Sequence, residues 1–165
     1  MTGDRPLGRL VLVTGASGVD PHEVARALAL RFDRAVHVDL EALQQLVVTG
    51  SVVMTDDPMA SGPPPPDGVE QLFLRWLAGI AVAETYQRGG FDAVLSERVA
   101  GDLLDDLLDF VDPSPVHLVV LRDVADPTAE ADADRRGLHL DPRPIPPDQV
   151  AATLVDRLDE ALVRS

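Results

Sequence analysis

The chain has no cysteine and no lysine: its 14 basic residues are all arginine, set against 28 Asp and Glu in 165 residues. Without cysteine there are no disulfides, thiolate metal ligands or cysteine nucleophiles, and the cellular compartment stays open on that count. Without lysine, no ammonium group can reach a phosphate from any part of the chain, although a guanidinium can. A bias towards Ala, Arg, Val, Asp and Pro, as a GC-rich genome produces, accounts for part of that absence. Aromatic residues are scarce at 4%, while hydrophobic residues make up 45%. The core must therefore be built mainly from Val, Leu and Ala, the usual filling of a parallel sheet covered by helices.

Long apolar runs are also missing, so no segment reads as a membrane span. Met1 to Leu7 lacks the charged and apolar regions of a secretory signal, and the expected location is cytoplasmic. The net charge of -14 repels polyanions, and with no basic patch in the sequence, neither nucleic acid nor membrane is an expected partner. The four histidines, His22, His37, His117 and His139, are scattered in sequence and form no metal-ligand pair at helical spacing. No metal is expected.

The length fits one domain with a full core, spanning residues 1–165. Arg9 to Thr14 is a short apolar run ending at Gly15, the pattern of a central strand. Val24, Leu28 and Phe32 then recur at helical spacing from Pro21 onward. Ala35 to Asp39 reads as a second strand and Leu40 to Val48 as a helix. Residues 49–68 carry four consecutive prolines and read as a mobile, extended loop. Val69 to Arg88 is the longest helical pattern, stopped by Gly89-Gly90. Strands follow at Phe91 to Leu95, Val116 to Leu121 and, weakly, Leu138 to Leu140. Helices are expected over Gly101 to Val111, as a short one over Asp126 to Arg136, and over Pro147 to Val163. Strands alternating with helices predict an α/β fold, a five-stranded, mainly parallel sheet with helices on both faces.

The first strand and helix are joined by Gly15-Ala-Ser-Gly-Val-Asp-Pro-His-Glu23. A phosphate-binding loop in this position needs glycines whose amides curl around the phosphates, a Lys for the β/γ-phosphates and a Ser or Thr hydroxyl for Mg²⁺. Gly15 and Gly18 stand in glycine positions, but Asp20, Pro21 and His22 replace the last Gly, the Lys and the hydroxyl. The replacements make a helix start in their own right: Asp20 as N-cap, Pro21 at the first turn, and Glu23 placed to reach back to the cap amide. Pro21 also removes one amide donor.

The stretch resembles the P-loop of small-molecule kinases, in particular the chloramphenicol phosphotransferase-like and related AAA-type phosphotransferases. That resemblance implies a three-layer P-loop-kinase-like fold with a vestigial phosphate loop at Gly15, Ser17, Gly18, Asp20 and His22. It further implies that Asp39, ending the second strand, corresponds to the acid near the acceptor hydroxyl. Glu97 would match the acid after the third strand. Arg122 precedes the position of an arginine-bearing lid, and Arg135 and Arg136 match what remains of that lid.

Each of these residues also has a plainer reading. Asp39 is a sound N-cap for the helix after it, and Glu97 with Arg98 can form a simple salt bridge. The carboxyl edge of such a sheet is nevertheless where α/β proteins place ligands. The first functional reading is a degenerate kinase-like protein without standard ATP-dependent phosphoryl transfer. Its former acceptor cleft, with Asp39 and Glu97 as acid/base groups and Arg98, Arg122, Arg135 and Arg136 as ligand-binding residues, serves small-molecule binding or another reaction. No cofactor is then expected. An alternative is an active phosphotransferase using Mg-ATP on a hydroxylated metabolite or antibiotic. A third is a non-catalytic regulatory or assembly subunit, for which a homodimer would speak.

Overall fold

A computed structural model describes residues 6–15, 19–52, 65–99, 101–112, 114–122 and 136–163. Its first strand, β1 (Leu10–Gly15), is buried along its whole length. Leu10 and Leu12 point to one core and Val11 and Val13 to the other, as the two-residue period of a strand requires when both sheet faces are covered. Four further parallel strands complete the main sheet: β2 (Ala35–Asp39), β3 (Asp92–Glu97), β4 (Val116–Leu121) and β5 (Leu138–Leu140). Their order is β2-β3-β1-β4-β5, so the chain runs from the central β1 out to the β2 edge and then turns back through β3 to β4 and β5.

One face carries α1 (Pro21–Ala29) and α4 (Pro147–Asp156), packed through Val24, Leu28, Val150 and Leu154. The other carries α2 (Pro66–Arg88) and α3 (Asp102–Val111), packed through Leu72, Trp76, Ile80, Leu104 and Leu107. The architecture is the expected α/β fold with helices on both faces. Phe73, Trp76 and Phe110 meet with centroids 5.3 to 6.2 Å apart, so three of the few aromatics join α2 to α3.

Several element boundaries differ from expectation for identifiable reasons. The expected loop over 49–68 ends early: α2 begins at Pro66, because proline fits the first helical turn, where the missing amide is no loss. Residues 53–64 of that loop, and the expected helix within Asp126 to Arg136 up to 135, lie outside the described residues. The helix expected over Leu40 to Val48 is a 3₁₀ helix, Glu41–Leu46. The last helix stops at Asp156. A second 3₁₀ helix, Leu158–Ala161, then turns the chain into β6 (Leu162–Val163), which pairs antiparallel with the start of β4. Among the described residues the sheet thus has six strands, five parallel and one antiparallel.

Two glycines are needed where they stand. Gly90, with φ 75°, lets the chain leave α2 sharply enough to start β3. Gly137 has φ 78°, and a Cβ there would lie 2.4 Å from the Leu118 carbonyl oxygen, so the turn into β5 passes against β4. The result gathers the carboxyl ends of all five parallel strands along one edge of the sheet.

Candidate functional site

At that edge, Asp20 caps α1 by accepting a 2.9 Å hydrogen bond from the His22 amide. Pro21 occupies the first turn, as its fixed φ allows. Glu23 departs from the expected capping box: among the described residues it makes no bond to the Asp20 amide and stays exposed. With the cap set, the His22 side chain points across the ends of β2 and β3.

His22 is the centre of a polar cluster that its sequence neighbours do not reveal. Its Nδ1 lies 2.9 Å from Ser96 Oγ and 3.2 Å from Asp39 Oδ1, and its Nε2 lies 2.6 Å from Glu41 Oε2. Ser96 Oγ also lies 2.8 Å from His37 Nε2. A hydroxyl donates once and accepts twice, so Ser96 can accept from one imidazole while donating to the other, the tautomers setting the direction. Burial pushes the His37 imidazole below its ordinary value, with Asp39 opposing that shift. Neutral His37 is thus the donor to Ser96 when its Nε2 carries the proton, and Ser96 then donates to His22. A carboxylate, an imidazole and a hydroxyl in line are the parts of a nucleophile relay. Ser96 is fully buried, however, and no substrate carbon can approach its oxygen. The cluster is a connected hydrogen-bond network, and it is not built for nucleophilic attack.

Glu97, the next residue on β3, has only 1% of its surface exposed. The expected salt bridge to Arg98 is not its pairing: Arg75 of α2 donates to both carboxylate oxygens at 2.9 and 3.0 Å, and Trp76 Nε1 donates at 2.9 Å. Alternate side chains of a strand face opposite ways, which sends Glu97 towards α2 while Ser96 faces His22. Burial raises the Glu97 carboxyl above the usual range, and the Arg75 and Trp76 contacts offset this only in part. Arg98 instead reaches Glu41 at 3.3 Å and Asp20 at 3.7 Å. Asp39 combines both of its readings, since its Oδ1 accepts from the Ala42 amide at 3.1 Å and also lies beside His22.

A cleft of about 200 Å³ opens beside these groups, lined among others by Glu41, Gln44, Leu72, Arg75, Glu97 and Arg98. A larger cavity, about 740 Å³, lies at the opposite, amino edge between Arg9, Gln87, His117 and Leu162. It adjoins none of the candidate residues, whereas Glu97 and Arg98 line the smaller cleft.

The structure thus places Asp20, His22, Asp39, Glu97 and Arg98 at one edge, with Gly15 ending β1 there. Asp39 and Glu97 take different partners and do not form a direct pair. Arg122 lies at the end of β4, where its amide bonds the Leu140 carbonyl and its Nε is buried without a partner. Arg136 leaves the cleft lining to pair with Asp105 of α3. Ser17, Gly18 and Arg135 lie outside the described residues. Sequence reasoning missed Glu41, Arg75, Ser96 and His37 as members of the site. The register of β2 on β3, which sets Asp39 opposite Ser96, is what assembles them. Among the described residues no group of His, Asp and Glu could hold a metal ion, and no helix is long and apolar enough to cross a membrane.

No protein-family model matches the chain, and no curated protein matches it. Solved structures do match it, two of them over nearly the whole length of both chains. A sugar kinase from Janibacter sp. HTCC2649, solved unliganded, superposes with a TM-score of 0.60 at 17% identity, covering 93% of this chain and 96% of that one. The tunicamycin resistance protein of Deinococcus radiodurans superposes with a TM-score of 0.61 at 14% identity, covering 95% and 99%. The shared fold is kinase-like. At these identities the likeness establishes the architecture, and function has to come from the site.

Proposed function

We propose that this protein keeps a kinase-like scaffold, has lost standard ATP-dependent phosphoryl transfer, and binds a small molecule in the cleft at the carboxyl edge. The observation carrying this reading is the start of α1. In a phosphate loop, the free amides and positive dipole end of this helix serve phosphate. Here Asp20 takes the His22 amide, and the His22 side chain stands between Asp39 and Glu41. An incoming triphosphate would meet three carboxylates, and no lysine exists to compensate.

The ligand would sit among Arg75, Arg98, Glu41 and Glu97, with Arg122 further along the edge and Arg135 as the sequence-derived addition. Arg136, engaged with Asp105, contributes less than expected. If a reaction takes place, Asp39 through His22 and Glu97 through its raised carboxyl are the groups able to exchange protons. A second reading, an active phosphotransferase, draws on the kinase-like neighbours and on the two guanidiniums beside the cleft.

Melting the pure protein against Mg-ATP tests the proposal. A ligand at 100 times its dissociation constant adds about 2.7 kcal/mol. The expected result is no shift at millimolar Mg-ATP. A saturable, Mg²⁺-dependent rise would overturn the reading in favour of the kinase.

A further inference from the structure

We infer that the outer face of α2 pairs with the same face of a second copy, the two helices running antiparallel. The face is apolar at its centre and uncovered in the single chain: Leu74 is 58% exposed and Leu77 46%, with exposed Ala81 one turn on and exposed Ala78 flanking them. From Trp76 to Ala83 the helix carries no charge, in a chain whose net charge is -14. Elsewhere two copies repel one another, and here they can touch without bringing carboxylates together.

The identity of the partner follows from the order of residues along the face. Glu70, Leu74, Leu77, Ala81, Glu84 and Arg88 succeed one another in alternating steps of four and three, which is the seam of a helix that packs against another helix. Glu70 and Arg88 are 18 residues apart, five turns of about 3.6 residues, and so lie on one line of the helix about 27 Å apart. Turning a second α2 end over end about Gly79 sets Glu70 against the partner copy's Arg88, and Arg88 against its Glu70. Leu77 then falls opposite Ala81 and Leu74 opposite the aliphatic stem of Glu84. The acid at one end and the base at the other are thus complementary to their own reversed image, which is what a two-fold interface demands.

Other features agree. Glu70 has no ion-pair partner among the described residues, and Arg88 has only the exposed Glu84, one turn away. Ala81 and Ala78 let the helix axes approach closely at the centre.

Sedimentation equilibrium on the full chain tests the inference. The wild type is expected to be a reversible dimer, and Ala81→Glu, an exposed change that leaves the melting curve of the monomer intact, is expected to abolish it. Glu70→Arg alone sets Arg against Arg at both ends and should raise the dimer dissociation constant about tenfold. Arg88→Glu alone should do the same, and the double exchange should restore wild-type affinity. A monomer at all concentrations would overturn the inference. So would a dimer indifferent to Ala81→Glu, or a double exchange that fails to restore what the single ones lose.

Discussion

His22 Nε2 stands 2.6 Å from Glu41 Oε2, joining the first turn of α1 to the 3₁₀ helix after β2 across 19 residues of chain. Through Nδ1 the same imidazole reaches Ser96, so one side chain ties three segments at the carboxyl edge. His22→Ala leaves the Ser96 hydroxyl with one partner fewer in a buried setting and Glu41 with only Arg98. We expect a loss of about 1–2 kcal/mol in urea denaturation, with His22→Asn recovering part of it. A loss below the error of the midpoint would mean that the cluster does not stabilise the edge.

The buried Glu97 carboxyl gives a pH signature. Its folded value lies above its unfolded one, so the native state binds the extra proton between the two, and stability contributed by this group falls as pH rises through that window. Glu97→Gln removes the titration. The stability of the wild type relative to this variant should therefore decline from pH 4.5, the ordinary value, upward. A flat difference across the acid range would refute the assignment.

How much of this was legible beforehand divides along a physical line. The sheet and its covering helices follow from local periodicity: Val24, Leu28 and Phe32 mark α1 without any knowledge of what they pack against. Asp20 as a cap and Pro21 behind it are equally local. The site members Glu41, His37, Ser96 and Arg75 are not, because they meet through strand register and through the approach of α2 to β3, between residues 19 to 74 positions apart. Glu97 shows the difference. Its place on the edge follows from the strand alone, whereas proximity in sequence suggests Arg98 as its partner and strand alternation sends the two side chains different ways. β6 escaped notice because a two-residue strand carries no period of its own.

His37 yields a signature of the opposite sign. Its folded value is lowered by burial, so the unfolded chain takes up the proton first as pH falls, and stability is lost progressively below the ordinary value of 6.5. His37→Gln can still donate to Ser96 but does not titrate. Below pH 6.5 the variant should lose less stability than the wild type, as read by thermal melts at stepped pH.

Gly137→Ala should be among the costliest single changes remote from the edge cluster. It places a Cβ against the Leu118 carbonyl at a backbone angle that alanine rarely adopts. A loss of about 2–3 kcal/mol is expected, and calorimetry of the variant would detect it as a depressed melting temperature.

Arg75 and Arg98 border the same cleft, yet substitution should separate their roles. Arg75 has 16% of its side chain exposed and is the counter-charge of a carboxylate almost wholly out of water. Removing it strands Glu97, so Arg75→Gln should cost about 3 kcal/mol at neutral pH, and less in acid, where Glu97 takes up a proton and no longer needs the guanidinium. Arg98 is 39% exposed and holds Glu41 and Asp20 only at 3.3 and 3.7 Å. Arg98→Gln should therefore cost well under about 1 kcal/mol, while changing the charge that a ligand in the cleft would meet. Denaturation of both variants at neutral and acid pH checks this. Equal losses, or a loss at Arg75 that does not shrink in acid, would show that Glu97 is held by something other than its arginine.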